Sequence, residues 1–213
     1  MKLYNYWRSS SSWRVRIALN LKGLAYEYLP VHLAKSEQHS DAYRALNPLG
    51  TVPVLEVNEG GRVTRLSQSM AILEYLEERH PSPALLPGEP LLRARVRMLA
   101  EQMNSGIQPL HNLAVMQRIK GELGGDDKAW AAYWIGRGLT ALQTLVQETT
   151  GRYCVGDALS FADVFLVPQL YAARRFGVDL AGYGTLTRIE AECASLPTFQ
   201  AAHADRQVDA VPA

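Results

Sequence analysis

Leu3-Tyr4-Asn5-Tyr6-Trp7-Arg8-Ser9-Ser10-Ser11-Ser12-Trp13-Arg14-Val15-Arg16-Ile17-Ala18-Leu19 stands at the head of the chain, and Gly23 follows four residues later. The run Leu3 to Trp7 is short, apolar and aromatic, the composition of a strand. Ser9 to Ser12 interrupt it, and Val15, Ala18 and Leu19 then recur at helical spacing. Serine before the first apolar position and glycine after the last are the punctuation of a helix. The stretch therefore predicts a strand that hands over directly to a helix.

Working outward, Tyr26 to Leu33 reads as a second strand, and Ser40 to Leu46 as a short polar helix stopped by Asn47-Pro48. Val54-Leu55-Glu56-Val57 and Arg62 to Leu66 flank Asn58-Glu59-Gly60-Gly61, a hairpin signal. Ser67 is expected to open a further helix, with Ile72, Leu73 and Leu76 on an apolar face and Glu74, Glu77 and Glu78 opposite. The order is β-α-β, α, β-β-α. A right-handed crossover makes the first two strands parallel neighbours, and the hairpin completes a four-stranded mixed sheet. This is the thioredoxin-like plan.

Pro81, Pro83, Pro87 and Pro90 then mark a linker, since such spacing resists helix and strand alike. Beyond it the pattern is helical: Leu91 to Gly121, with Gly106 and Pro109 as kink points, and Lys128 to Thr149. Ser160-Phe161-Ala162-Asp163 resembles a capping box with Asp for Glu, and opens an apolar helix through Leu170. Pro197 is expected to open a last helix, and the tail from Asp205 reads as frayed. The fold class is α/β plus all-α: residues 1–80 form a thioredoxin-like domain, 81–90 a linker, and 91–213 an all-helical domain.

Composition narrows the function. Hydrophobic residues at 47% and charged residues at 20% describe an ordinary globular core. A formal net charge of +1 offers no global field for nucleic acid or anionic membrane. Cys154 and Cys193 stand alone, without a CxxC, and the five histidines are scattered, so no disulfide framework or metal site is expected. No apolar run approaches a membrane span, and the N-terminus reaches Arg8 too early for a secretory signal. A reduced cytoplasmic setting follows.

Four groups of residues could carry chemistry. Ser9 to Ser12 lie at a helix N-terminus, where free N–H groups and the dipole favour an anion. A thiolate held there has its pKa pulled down from about 8.5. Spacing alone favours a simple cap, since serine-rich N-caps are common. At Thr51-Val52-Pro53 a cis bond would turn the Val52 backbone groups outward to pair with an extended peptide, although trans is the commoner state. Gln68-Ser69 sits at a second helix start, suited to a carboxylate or to plain capping. Arg174-Arg175 follows the apolar helix, where cations also simply suit the helix dipole.

The residues Arg8 to Leu19 closely resemble the signature of zeta-class glutathione transferases. The resemblance continues through Ala45-Leu46-Asn47-Pro48, Val52-Pro53, Gln68-Ser69 with Ala71 to Leu76, Gly106 to Leu113, Tyr153 to Asp157, Ser160 to Asp163, and Ala173 to Phe176. It covers about residues 2 to 200. It implies glutathione as cofactor, with Ser9 as catalytic partner of the thiolate and Ser9, Ser10, Ser11, Ser12, Trp13 and Arg14 around the thiol. It further implies Gln38 at the glycyl end, Val52 on the cysteinyl backbone, Gln68 and Ser69 on the γ-glutamyl group, and Gln108 and Asn112 from the helical domain. Arg175 matches an arginine directed at an acidic substrate, and Arg8 is added here as a second carboxylate clamp.

The activity implied is cis–trans isomerisation of maleylacetoacetate to fumarylacetoacetate by reversible thiolate addition, in a homodimer that binds a small acidic substrate. The alternatives are the same chemistry on maleylpyruvate, glutathione transfer to α-halo acids, and a non-catalytic binding module of the same fold. Ser11 stands where the signature often has cysteine, which puts reductive dehalogenation in doubt, because a serine cannot resolve a mixed disulfide. His111 stands where glutamine is common.

Overall fold

The computed structural model describes residues 1–211. It divides into two compact units, Met1–Pro83 together with the chain from Leu196 onward, and Ala84–Ser195. In the first, β1 (Lys2–Asn5) leads to α1 (Ser10–Leu21), β2 (Glu27–Pro30), two 3-10 turns and α2 (Asp41–Arg44). The hairpin β3 (Val54–Glu59) and β4 (Arg62–Ser67) follows, then α3 (Ser69–Arg79). Strand order is β2-β1-β3-β4, with β1 parallel to β2 and antiparallel to β3. The expected thioredoxin-like sheet is therefore present, with a shorter second strand than its β-rich sequence suggested.

The core of this unit explains its local structure. Leu3, Val15, Ile17, Leu19, Val54, Leu55, Ile72, Leu73 and Leu76 are all completely buried, each worth roughly 1.5–3 kcal/mol when removed from water. Charged residues are buried with them. Arg14 and Arg16 on α1 are fully buried. Glu77, expected on the solvent face of α3, is also buried, because Lys22 Nζ donates to it at 2.8 Å. The same ammonium donates to the carbonyls of His80 at 2.7 Å and Pro83 at 3.0 Å. All three Lys22 protons are thus satisfied, and the pair ties α1 to the end of α3 and the start of the linker.

The second unit is helical: α4 (Pro90–Asn104), a 3-10 turn (Gln108–His111), α5 (Leu113–Gly121), α6 (Asp127–Val146), α7 (Phe161–Arg175) and α8 (Gly184–Ala194). Glu89 caps α4 through bonds from Leu91 and Leu92 N–H, with Pro90 at the first helical position. Gly106 and Pro109 do more than kink one long helix: they separate α4 from α5. A Cβ at Gly106 would lie 2.6 Å from the Gln102 carbonyl oxygen, so the chain can turn there only with glycine. The helix α8 escaped the sequence reading because it opens on Gly184 with no side-chain cap and buries only Leu186, Ile189 and Cys193.

Helix α7 is the buried axis of this unit. Its N-terminus is set by Asp163, whose carboxylate accepts from Ser160 N–H, Ser160 Oγ and Cys154 N–H, each at 2.8 Å. Burial pushes this carboxyl up, against the opposing pull of those donors.

The C-terminal end departs from the expected division. After Pro197 opens α9 (Pro197–Ala202), the chain returns to the first unit and packs on α1, with Asn20 donating to the Thr198 carbonyl. Nor is the tail from Asp205 frayed over the described residues. Gln207 donates to the carbonyls of Ala201 and His203, and Asp209 accepts from Trp7 N–H at 3.1 Å and from the Tyr28 hydroxyl. Short polar tails read as loose in sequence, and only long-range partners such as these show otherwise.

Two stability outcomes follow. Lys22→Ala removes the ammonium from a buried carboxylate and from two carbonyls, and is expected to cost about 3 kcal/mol, read as a lowered urea midpoint; a loss below about 1 kcal/mol would contradict the account. Asp163→Ala leaves two buried N–H groups unpaired and should cost a similar ~3 kcal/mol, read by calorimetry; an unchanged melting temperature would show that α7 does not depend on it.

Candidate active site

Strand register brings the site together. Tyr4 pairs with Val54, and Val54 with Ser67. The end of β1, the start of β3 and the end of β4 therefore lie side by side at one end of the sheet. The segments attached there are Tyr6 to Ser9, Thr51 to Pro53, and Gln68-Ser69. This is the end where α1 and α3 both begin.

Ser9 is the N-cap of α1. Its Oγ accepts the Ser12 N–H at 3.2 Å, and its own N–H is held by the Tyr6 carbonyl. Among the described residues no partner takes the Ser9 hydroxyl proton, and none takes the N–H of Ser10 or Ser11. One hydroxyl and two amides thus converge, half-exposed, at a positive helix end. Ser12, Trp13 and Arg14 turn inward instead. Ser12 is buried, with its Oγ accepting Tyr6 N–H at 3.4 Å. Trp13 packs edge-on against His203. The Arg14 guanidinium donates to Ser69 Oγ at 3.2 Å, linking α1 to the start of α3.

Behind the Ser9 loop sits Arg16. Its guanidinium donates to Asn5 Oδ1 at 2.9 Å and to the carbonyls of Trp7 at 2.8 Å, Tyr6 at 3.4 Å and Ala202 at 3.2 Å. Burial draws its pKa down to about 10, opposed by Tyr28, Tyr26 and Asp209, so it stays charged at neutral pH.

At the second helix start, Gln68 has φ of 71°, a region non-glycine residues seldom occupy and which costs on the order of 1–3 kcal/mol. Its side chain is exposed and makes no cap bond, while Ser69 is buried. The Val52-Pro53 bond is cis, the minority state by composition. Among the described residues the Val52 N–H and C=O have no hydrogen-bond partner, so the edge is open to an added peptide. The loop before it is fixed by Tyr43 Oη and Asn47 Nδ2, both donating to the Thr51 carbonyl at 2.8 Å. Tyr43 shapes this loop and the sequence reading did not single it out; Asn47 entered that reading as a helix stop and as part of the resemblance, without this hydrogen bond.

Gln38 lies on a 3-10 turn against this loop. A Cβ at Gly50, φ of 65°, would meet the Gln38 carbonyl oxygen at 2.9 Å, so glycine is what lets the two segments touch. Gln38 is 4% exposed, and its Oε1 is buried without a hydrogen-bond partner. Such an acceptor calls for a donor, which a ligand N–H can supply. Arg8 is half-exposed with its guanidinium 5.0 Å from the centre of the Trp7 ring.

The helical unit holds the remaining candidates. Gln108 is half-exposed on its 3-10 turn, and Asn112 caps α5 by accepting Ala114 N–H at 3.3 Å. His111, between them, is buried against Phe176 with ring centres 5.6 Å apart, and lies 3.4 Å from Gln169 Nε2. Arg175, exposed at the end of α7, stacks on the same Phe176 ring at 4.9 Å. Arg174 is paired with Glu190 at 2.6 Å. Cys154 and Cys193 are buried thiols whose pKa burial pushes up. Among the described residues no three His, Cys, Asp or Glu side chains group to hold a metal, and no helix is long and apolar enough to cross a membrane.

Known proteins resemble this chain in sequence and in fold. Residues 3–84 match the family described as the glutathione S-transferase N-terminal domain. The chain is 48% identical to probable maleylacetoacetate isomerase 2 of Drosophila melanogaster, over 99% of this chain and 90% of that protein. It is 58% identical to the maleylacetoacetate isomerase of Anaeromyxobacter dehalogenans, solved with glutathione in its active site, at a TM-score of 0.92 over 99% of this chain and 97% of that one. That enzyme has also been solved with dicarboxyethyl glutathione and citrate in the active site. A bacterial maleylpyruvate isomerase of the zeta class shares 45% identity and a TM-score of 0.94, over 99% of this chain and all of that one. A sheet end with two helix N-termini, a capping serine and an open Val52 edge, carried on a sequence this close to enzymes of one kind, places the chain in the zeta-class glutathione transferases, the family of the maleylacetoacetate and maleylpyruvate isomerases.

Proposed function

We propose that this protein converts maleylacetoacetate to fumarylacetoacetate, using glutathione as a cofactor that is regenerated in each turnover. The observation that carries the reading is the Ser9 hydroxyl with its proton unassigned, beside the free N–H groups of Ser10 and Ser11. Bound glutathione supplies a thiolate that adds reversibly to the activated double bond, so that the bond can rotate. The chain's own work begins with that charge. Ser9 donates a hydrogen bond to the sulfur, and the α1 N-terminus adds its field. Gln68 and the first turn of α3 hold the γ-glutamyl carboxylate, supported by Arg14 through Ser69. Val52 pairs with the cysteinyl backbone, and Gln38 reaches the glycyl end, where the glycyl N–H can donate to its buried Oε1. Gln108 and Asn112 are assigned to the same cofactor from the helical unit.

The substrate carries two carboxylates, and guanidinium fork geometry suits both. Arg175 and Arg8 take that part; each is braced on an aromatic ring, Phe176 and Trp7, which limits the side-chain freedom lost on binding. Maleylpyruvate is the second reading, since it offers the same enedioate in a shorter molecule. Ser11 argues against reductive dehalogenation. Two unpaired cysteines accord with a reducing cytoplasm, and exposed Leu91, Leu92 and Met98 on α4 offer an apolar surface for a second copy in a homodimer.

The deciding assay follows maleylacetoacetate and maleylpyruvate in parallel, with and without glutathione. Fast, glutathione-dependent conversion with glutathione unconsumed is expected, and faster for maleylacetoacetate. Ser9→Ala should lower kcat/KM by about 10²-fold, the usual loss of one preorganised donor. The acid limb of its pH profile should move to higher pH, because the thiol has lost a group that favours its ionised form. A variant within about 2-fold of the parent, with an unmoved profile, removes Ser9 from this role.

A further inference from the structure

The C-terminal tail ends its described course against the loop that carries Ser9, and the contact is specific. Asp209 Oδ2 accepts the Trp7 N–H at 3.1 Å, and Oδ1 accepts the Tyr28 hydroxyl. The Trp7 carbonyl, on the other side of the same residue, is taken by Arg16 at 2.8 Å. Trp7 is therefore clamped at both its N–H and its C=O, two residues before Ser9. The preceding carbonyl, that of Tyr6, is shared by Ser9 N–H at 3.1 Å and Arg16 at 3.4 Å. The tail is itself braced: Gln207 is bonded to the carbonyls of Ala201 and His203 at 2.9 Å and 2.7 Å, and Ala202 is held by Arg16.

We infer that Asp209 is a positioning residue for isomerisation, a clasp by which the C-terminal tail sets the Ser9 loop. The inference rests on Ser9 being the thiolate's partner. Asp209 touches no reacting atom. It fixes the Trp7 peptide, and through it the rotation that aims the Ser9 hydroxyl and the Ser10 and Ser11 amides at one point. A displacement on the order of 1 Å at such a site costs up to 10²-fold in rate, so a loop released on one side but still gripped by Arg16 should lose less. Tyr28 orients the carboxylate; its own hydroxyl is pushed up by burial and by that bond, so it remains a donor throughout the working pH range.

The test uses the whole chain with Asp209→Ala, Asp209→Asn, Tyr28→Phe and Ser9→Ala. Three readouts are taken: kcat at saturating substrate, the pKa of the bound glutathione thiol by ultraviolet titration, and the melting temperature. Asp209→Ala is expected to lose about 10-fold in kcat, with the thiol pKa raised toward its free value and KM for the acidic substrate changed less than kcat. Asp209→Asn keeps an acceptor for Trp7 N–H and should recover most of the rate. Tyr28→Phe should fall between. A folded Asp209→Ala with the parent's kcat and thiol pKa overturns the inference, as does a lowered melting temperature with the thiol pKa unmoved. Should Asp209→Ala fail to fold, Tyr28→Phe decides: a raised thiol pKa supports the clasp and an unchanged one overturns it. If Ser9→Ala itself leaves the thiol pKa unchanged, the Ser9 reading fails; if Ser9→Ala raises it and Asp209→Ala does not, the clasp alone fails.

Discussion

A buried guanidinium organises the end of the sheet from which α1 begins. Arg16 has no exposed surface, yet it donates to Asn5, Tyr6, Trp7 and Ala202. Burying such a charge without partners would cost several kcal/mol. Here the partners are the carbonyls of the segment that would otherwise be a free loop, together with one from α9. The cost of burial and the order of the loop are therefore the same interaction. Once Trp7 and Tyr6 are held, Ser9 falls at the cap of α1 and the first amides of the helix point away from the core.

The rest of the site follows from sheet register. Pairing Tyr4 with Val54 and Val54 with Ser67 aligns three chain segments that lie far apart in sequence. Two of them are helix N-termini, ready for anions. The third is an open edge, ready for an extended peptide. A tripeptide with a thiol in its middle and carboxylates at both ends has the chemistry that such an arrangement can hold. The unusual φ of Gln68 and the orphaned Gln38 Oε1 are local costs at the same end of the sheet, where binding would offset them.

Much of this was legible in the residues. Serine caps, Gly23, the Asn58 to Gly61 hairpin and the apolar spacing of Ile72, Leu73 and Leu76 yield the sheet and its helices because each is a local signal. The Ser160–Asp163 box is likewise local. What was not legible depends on partners far along the chain. Glu77 reads as solvated until Lys22 is placed beside it, 55 residues away. Arg14 enters only through the resemblance, as a residue around the thiol; Arg16 carries no local sign of burial, and Asp209 reads as loose tail. The division into domains missed the return of α9 to α1 for the same reason. The helix α8 was missed because a glycine start and three buried positions give little periodicity.

The central claim is that the end of α1, with Ser9, turns a bound thiol into a thiolate near neutral pH. Titrating the ultraviolet absorbance of the thiolate in the complex with glutathione tests it directly, without substrate or turnover. The account predicts a pKa at least about one unit below the free-thiol value of about 8.5. A bound thiol that titrates at its free value would contradict it.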